Sequence, residues 1–262
     1  MGVRKNIKLF SFIIYVNMKN AVCLVTKEPS SIWIDFLASF TTYDIYIMID
    51  NIGFDTSLYE VKYKNIQFVK IEDQSCKNAG YIHSSYMPTS SLHFNEIIAW
   101  DRALYFFTNV CVNKYDQVWF FEDDCFFYGQ DTILQIDQKY PDADILCRDK
   151  NPEPKEGEWG WFWPAITIHF PPPYFHSPIC AVRMSKTLLY HIDQYVKEHH
   201  ILFFIEALFP SIAHKHGLTF QTIPELQPLY WRRTWEFSEF NRAQLFHPVK
   251  DILEQHKIRS LL

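Results

Sequence analysis

Three carboxylates in a row are the first chemically suggestive feature of this chain. Glu122, Asp123 and Asp124 follow Val118-Trp119-Phe120-Phe121 and precede Cys125-Phe126-Phe127. Like charges at such close range repel, and partial burial between aromatic walls adds to the cost. A divalent cation is the simplest compensation. Hard carboxylate oxygens suit Mg²⁺ or Mn²⁺, and diphosphate oxygens can complete the shell. A solvated turn at a strand end would also hold three acids, but it has no need of apolar walls on both sides.

Other residues could take part in chemistry around such a centre. Glu206 stands alone in Phe203-Phe204-Ile205-Glu206-Ala207-Leu208-Phe209. Burial there would raise its carboxyl toward the range of a useful general base, although the helix dipole alone also favours a Glu in a first turn. Trp159, Trp161 and Trp163 recur at every second residue, so they face one way if the segment is extended. They read either as a sugar platform, with Trp161 and His176 as acceptor contacts, or as a hydrophobic latch. Arg102, within Trp100-Asp101-Arg102, either reaches a diphosphate or forms a water-exposed pair with Asp101.

The elements that must position these groups follow from periodicity. Ala21 to Thr26 reads as a buried strand, followed by a helix that starts at Pro29-Ser30-Ser31 and runs through Phe40. Asp44 to Ile49 and Ile66 to Ile71 read as further strands, ending at Asp50-Asn51 and Glu72-Asp73. After a polar loop, Thr89-Ser90-Ser91 caps a long expected helix reaching about Phe107, and Gln117 to Phe121 is the strand that leads into the triplet. Strands alternating with helices imply an α/β fold, a mostly parallel central sheet flanked by helices. Polar or acidic residues stand at the C-terminal ends of three strands, where open α/β sheets bind ligands.

The second half is less regular. Expected strands are Ala143 to Leu146, Ile179 to Met184 and Leu218 to Ile223, with a loop over 149–165. Ser185 caps a helix to about His199, and Leu202 to His216 forms another closed by Gly217. The last forty residues read as an extended tail. The reading is a single domain over 1–262, with a nucleotide-sugar-binding half at 18–125 and an acceptor half at 126–262.

Composition narrows the class. Hydrophobic residues make up 48% and charged residues 21%, which excludes a disordered chain. The aromatic share is 18%; core packing accounts for most of these rings, and stacking on sugar faces is the sharper use of some. A net charge of −5 argues against a nucleic-acid binder. The six Cys include no CxxC, and Cys23, Cys125 and Cys180 lie in apolar runs, as reduced buried thiols do. Arg4, Lys5 and Lys8 precede an apolar run from Leu9 to Val16 that is too short to span a bilayer, which takes about 20 residues. The expectation is a soluble, cytoplasmic protein without a transmembrane segment, compatible with peripheral membrane contact. No GxGxxG or GxxxxGK[ST] loop is present, which disfavours dehydrogenases and P-loop NTPases.

The apolar strand ending in Glu122-Asp123-Asp124 resembles the DxD motif of GT-A glycosyltransferases, in an EDD form. His247-Pro248-Val249-Lys250 is similar to the late histidine of that family, with its lysine shortly after. The resemblance implies a GT-A fold and a metal-dependent transfer of a hexosyl or pentosyl group from a nucleotide-sugar donor to a glycan hydroxyl. It makes Asp124 and His247 metal ligands, Glu122 a ribose or outer-shell contact, and Lys250 a diphosphate contact, with Asp123 in the donor site. The imidazole tilts the metal toward Mn²⁺ over Mg²⁺. Thr26, Lys27 and Glu28 match the base and ribose site after the first strand, and Asp50 matches an acid that receives the uracil N–H, which points to UDP. Lys77-Asn78-Ala79-Gly80 resembles a loop flanking the donor, or is a plain turn. Glu206 resembles the acidic base of inverting members. Small soluble enzymes of this kind resemble those that large DNA viruses and algae use on surface glycans. The competing readings are a nucleotidyltransferase, disfavoured because Thr26-Lys27-Glu28-Pro29 replaces a glycine-rich loop, and a non-catalytic protein that binds carbohydrate or nucleotide sugars.

Overall fold

Along Val118-Trp119-Phe120-Phe121 every side chain is buried, and successive residues enter opposite layers. Val118 and Phe120 join one core, Trp119 and Phe121 the other. That is the period-two signature of a strand covered on both faces. The computed structural model describes residues 19–87, 92–153, 163, 166–202 and 204–261, with backbone alone at 83–87 and 92–96.

Among the described residues the central sheet has seven strands. In chain order they are β1 (Asn20–Thr26), β2 (Asp44–Ile49), β3 (Ile66–Val69), β6 (Gln117–Glu122), β7 (Ile145–Cys147), β10 (Ala181–Ser185) and β11 (Phe220–Thr222). Their spatial order is β11-β7-β10-β6-β1-β2-β3. All pairings are parallel except those of β10, which runs antiparallel to both β6 and β7. The fold is α/β, with a mostly parallel sheet and helices on both faces. The β1–β6 register sets Val25 opposite Glu122. The ends of β1, β2 and β6 therefore share one edge, and Thr26, Asp50 and the acidic triplet with them. Two small hairpins accompany the sheet: β4 (His83–Met87) with β5 (Leu92–Glu96), and β8 (Asn151–Pro152) with β9 (Phe175–His176).

The helices are α1 (Ser31–Ala38), α2 (Ser57–Lys62), α3 (Asp73–Ala79), α4 (Ala99–Tyr105), α5 (Gln130–Lys139), α6 (Lys186–His199), α7 (Ile205–Lys215) and α8 (Ile252–Ser260). Ser30 and Ser185 cap α1 and α6 by accepting the backbone N–H groups of Trp33 and Leu188, as expected of serine at these positions. Trp33 of α1 and Ile133 and Ile136 of α5 pack one face of the sheet; Trp100 of α4, Leu188 of α6 and Phe209 of α7 pack the other.

Three expectations are corrected. The long helix from Thr89-Ser90-Ser91 to Phe107 does not form. Leu92–Glu96 pairs as a strand with His83–Met87, and the helix begins only at Ala99, where Asp101 accepts the Ile98 N–H; residues 88–91 lie outside the described residues. Lys77-Asn78-Ala79-Gly80 is the end of α3 rather than a free loop, with Gly80 at φ +83°. The final forty residues are not simply extended. Phe246 bridges to Phe126, His247 to Leu229, and Asp251 caps α8 by accepting the N–H groups of Leu253 and Glu254.

Candidate metal centre

The chain turns sharply after β6, and its carboxylates diverge. Glu122, on the last strand residue, accepts a hydrogen bond from Trp100 Nε1 of α4 at 2.8 Å, while its N–H is held by the Cys180 carbonyl at 2.9 Å. Asp123 points back to β1, where the Thr26 hydroxyl donates to its carboxylate. Its carbonyl accepts Trp33 Nε1 at 2.7 Å and Gln255 Nε2 at 2.9 Å. Asp123 is thus a hinge that ties α1, β1 and α8 to the turn, and Thr26 serves to hold it. Asp124 points outward instead.

His247 faces the two outer acids. Its Nε2 lies 3.0 Å from Asp124 Oδ1 and 4.0 Å from Glu122 Oε2. Ligand atoms of Glu122, Asp124 and His247 all fall within 4.8 Å of one another. The histidine is held in place from several sides: Nδ1 donates to the Tyr230 carbonyl at 2.6 Å, its N–H reaches the Pro228 carbonyl at 3.1 Å, and its own carbonyl accepts the Tyr230 N–H at 2.9 Å. A backbone partner on Nδ1 fixes the tautomer and leaves Nε2 for the acids, the arrangement usual in metal-ligating histidines. The Val249 N–H to Asp124 carbonyl bond, at 2.7 Å, staples the same segment to the turn. This donor set of two carboxylate oxygens and one imidazole fits Mn²⁺ or Mg²⁺.

The groups of this cluster shift one another's protonation. Burial pushes the Glu122 carboxyl up to about 7, opposed by Trp100 and reinforced by Asp124. Burial alone would discharge His247, but hydrogen bonds to Asp124 and Cys180 outweigh it and raise the imidazole to about 11. Asp123 is also raised, by burial first, with the Thr26 hydroxyl opposing. A charged His247 offsets the neighbouring acids.

The remaining expected site residues fall into three groups. Glu206 lies in the first turn of α7, after Phe204 at φ +54°. Burial raises it to about 7, and it lies within electrostatic reach of Glu122 and Cys180. The Ser177 N–H donates to the Glu206 carbonyl at 3.0 Å, which places His176 beside α7; His176 packs against the Trp163 ring at 5.8 Å, and burial lowers its pKa. Trp159 and Trp161 lie outside the described residues.

Asp50 and Arg102 form the second group. Arg102 is not a water-exposed partner of Asp101. Both are buried, and the Arg102 guanidinium pairs with Asp73 at 2.6 Å and with Asp50 at 3.5 Å. A cation in a buried helix finds the nearest acids across the sheet edge instead of the one beside it in sequence. Arg102 Nε and Nη1 keep no hydrogen-bond partner. Lys27 and Lys250 make up the third group, both exposed; Lys250 lines a neighbouring cleft with Trp231 and Arg232. Gly80, expected near a donor, is approached instead by His200, whose Cα would lie 2.8 Å from an added Cβ.

The sequence marked Asp73 as an acidic strand end but not as the partner of Arg102, quoted Trp100 only as a neighbour of Arg102, and did not point to Gln255 or Tyr230. Each acts through a contact between distant segments, and no local pattern announces that contact.

No curated protein matches the chain in sequence. Among solved structures, it is similar to 4-diphosphocytidyl-2C-methyl-D-erythritol synthase from Anaerococcus prevotii DSM 20548, at 9% identity over 78% of this chain and 88% of that chain, with a TM-score of 0.40. It is also similar to mouse xyloside xylosyltransferase 1 in its apo form, at 11% identity over 78% and 84%, with a TM-score of 0.37. Likenesses this weak carry no weight for function. The family model described as "Protein of unknown function (DUF3405)" matches residues 101–251, which run from α4 through the acidic turn to Asp251 and include every member of the candidate centre. The chain belongs to that family.

Proposed function

We propose that this protein is a metal-dependent glycosyltransferase of GT-A type, moving a sugar from a UDP-linked donor to a glycan hydroxyl. The observation that carries the reading is the convergence of Glu122, Asp124 and His247 at the C-terminal edge of the sheet. Asp124 and His247 would hold a Mn²⁺ or Mg²⁺ ion there, with Glu122 beside them and steadied by Trp100, and the bound ion would supply positive charge toward the departing diphosphate. Arg102, buried behind Asp50 and Asp73, lends positive charge to the donor side of the site. Asp50, oriented by Arg102, accepts the uracil N–H, and Thr26 and Lys27 border the base.

Glu206 is the general base of an inverting transfer. The acceptor oxygen bonds to the anomeric carbon, its proton passes to Glu206, and the bond to the diphosphate oxygen breaks. A carboxyl raised to about 7 suits that task near neutral pH. His176 and the Trp163 side of the site border the acceptor.

Thermal shift and calorimetry with a panel of UDP- and GDP-sugars, with and without Mn²⁺, test the reading. Stabilisation by a UDP-sugar that requires Mn²⁺ is expected. Indifference to every nucleotide sugar in the presence of metal would sink it.

A further inference from the structure

Beside the candidate centre, the chain leaves Leu229, loops outward and returns at His247. The neck of this loop is closed by the Leu229–His247 bridge and by the paired hydrogen bonds of Tyr230 and His247. Between the loop and the start of α8 lies a cleft of about 560 Å³, bordered by Trp231, Arg232, Arg233, Trp235, Lys250 and Glu254 among others. Its cations are not equivalent. Arg233 pairs with Glu239 and lies over the Tyr230 and Trp235 rings, so it holds the loop together. The side chains of Arg232 and Lys250 are exposed and take part in no ion pair or hydrogen bond among the described residues. Trp231 keeps 48% of its surface in solvent. On the opposite wall Asp251 is committed to capping α8, which leaves Glu254 as the uncommitted acid.

An exposed indole, two uncommitted cations and one carboxylate form an unusual combination. The indole face suits the C–H face of a pyranose ring. A guanidinium forms charge-assisted pairs with a carboxylate, sulfate or phosphate. A carboxylate accepts from neutral hydroxyls. Neutral glycans need the first and last but not the cations; a bare anion needs the cations but not the indole.

We infer that this cleft binds an acidic saccharide, a sugar bearing a carboxylate or an ester of sulfate or phosphate, with Trp231 under the ring and Arg232 on the acid group. The ligand class follows from the cleft's own residues; that the saccharide is the acceptor rests on the transferase reading above.

Calorimetry on the full chain without metal tests the inference, with tri-galacturonate, its methyl ester and galactose 6-sulfate as probes. Tri-galacturonate is expected to bind at least about tenfold more tightly than the uncharged ester, the scale of one charge-assisted hydrogen bond. Arg232→Ala should erase that preference and Arg232→Lys restore part of it, while Trp231→Ala weakens acid and ester alike. Binding of galactose 6-sulfate in place of tri-galacturonate, again lost in Arg232→Ala, assigns the acid group to an ester and upholds the inference. Equal binding of acid and ester, or no binding of any probe, overturns it. So does an Arg232→Ala variant that loses UDP-with-Mn²⁺ stabilisation, because the cleft would then belong to the donor diphosphate. Acidic-sugar binding that depends on Arg232 in a protein indifferent to every nucleotide sugar would keep the cleft and remove the transferase.

Discussion

At the scale of single residues, the candidate centre brings an imidazole and two carboxylates together. Asp124 and Cys180 raise the His247 imidazole to about 11, and burial raises Glu122 to about 7. If the proposed ion binds these groups it competes with their protons, so Mn²⁺ binding should release protons, and calorimetric heats should vary with buffer ionisation enthalpy. Asp124→Ala removes the acid nearest His247 and should weaken Mn²⁺ binding at least about tenfold, the order found when ligands or their supports are lost; unchanged affinity would remove Asp124 from the centre. Glu206 makes a separate prediction. Its carboxyl is raised from 4.5 to about 7 by burial, so between those values the folded state keeps a proton that the unfolded chain has lost. Its contribution is therefore complete below about pH 4.5 and fades as pH rises through about 7, by at most about 3 kcal/mol. In metal-free protein, Glu206→Gln should flatten the fall in Tm between pH 5 and 7.5. Parallel curves for parent and variant would contradict the buried, protonatable carboxyl.

At the scale of elements, one buried carboxylate ties several segments together. Asp137 on α5 accepts Arg183 Nη1 of β10 at 2.7 Å, Trp119 Nε1 of β6 at 2.9 Å, the Tyr43 hydroxyl at 2.7 Å and Asn20 Nδ2 of β1 at 3.1 Å. Arg183 is wholly buried, and its charge is compensated there and by the carbonyls of Tyr140 and Ala143. Because β10 is, among the described residues, the strand of the central sheet that runs antiparallel to its neighbours, this joint secures the place where the parallel order is broken. Asp137→Ala would strand a buried guanidinium, and a loss of about 3–5 kcal/mol in urea unfolding is expected. A loss below about 1 kcal/mol would mean that solvent reaches Arg183. Periodicity sets Asp137 on the buried face of α5 with Ile133 and Ile136, but the partners that satisfy it come from distant strands that a linear pattern does not reveal.

At the scale of the whole molecule, the C-terminal segment returns across the sheet edge to complete the centre. Phe246 and Phe126 exchange backbone hydrogen bonds of 2.8 and 2.9 Å, and Phe126, Phe240, Phe246, Val249 and Ile258 make a third small core. Gln255 of α8 donates to the carbonyls of Asp123 and Val249, at 2.9 and 2.8 Å. Metal binding should therefore stabilise two distant parts of the chain at once. Saturating Mn²⁺ is expected to raise Tm and slow amide exchange at 245–250 together with 122–126. Protection confined to 122–126 would separate His247 from the centre. Among the described residues, no helix is long and apolar enough to cross a membrane.

The sequence by itself determined where the strands of the sheet lie, though not their order or the reversed direction of β10. Strands buried on both faces are runs of apolar residues, and Asp44 to Ile49 forms with the boundaries periodicity implies. The acidic triplet was legible because three charges between aromatic runs conflict with local burial, and serine caps located α1 and α6 because capping is a matter of a few adjacent residues. What only the tertiary structure decided lies where partners are distant. Periodicity did not distinguish Leu92–Glu96 as a strand, since its partner is the hairpin arm at His83–Met87. The resemblance gave the three acids separate roles and put Asp123 in the donor site, yet only the turn after β6 shows Asp123 directed inward to Thr26, with Glu122 and Asp124 left to His247. Directions of that kind are set by the path of the chain in space, and a linear pattern of residue types does not contain them.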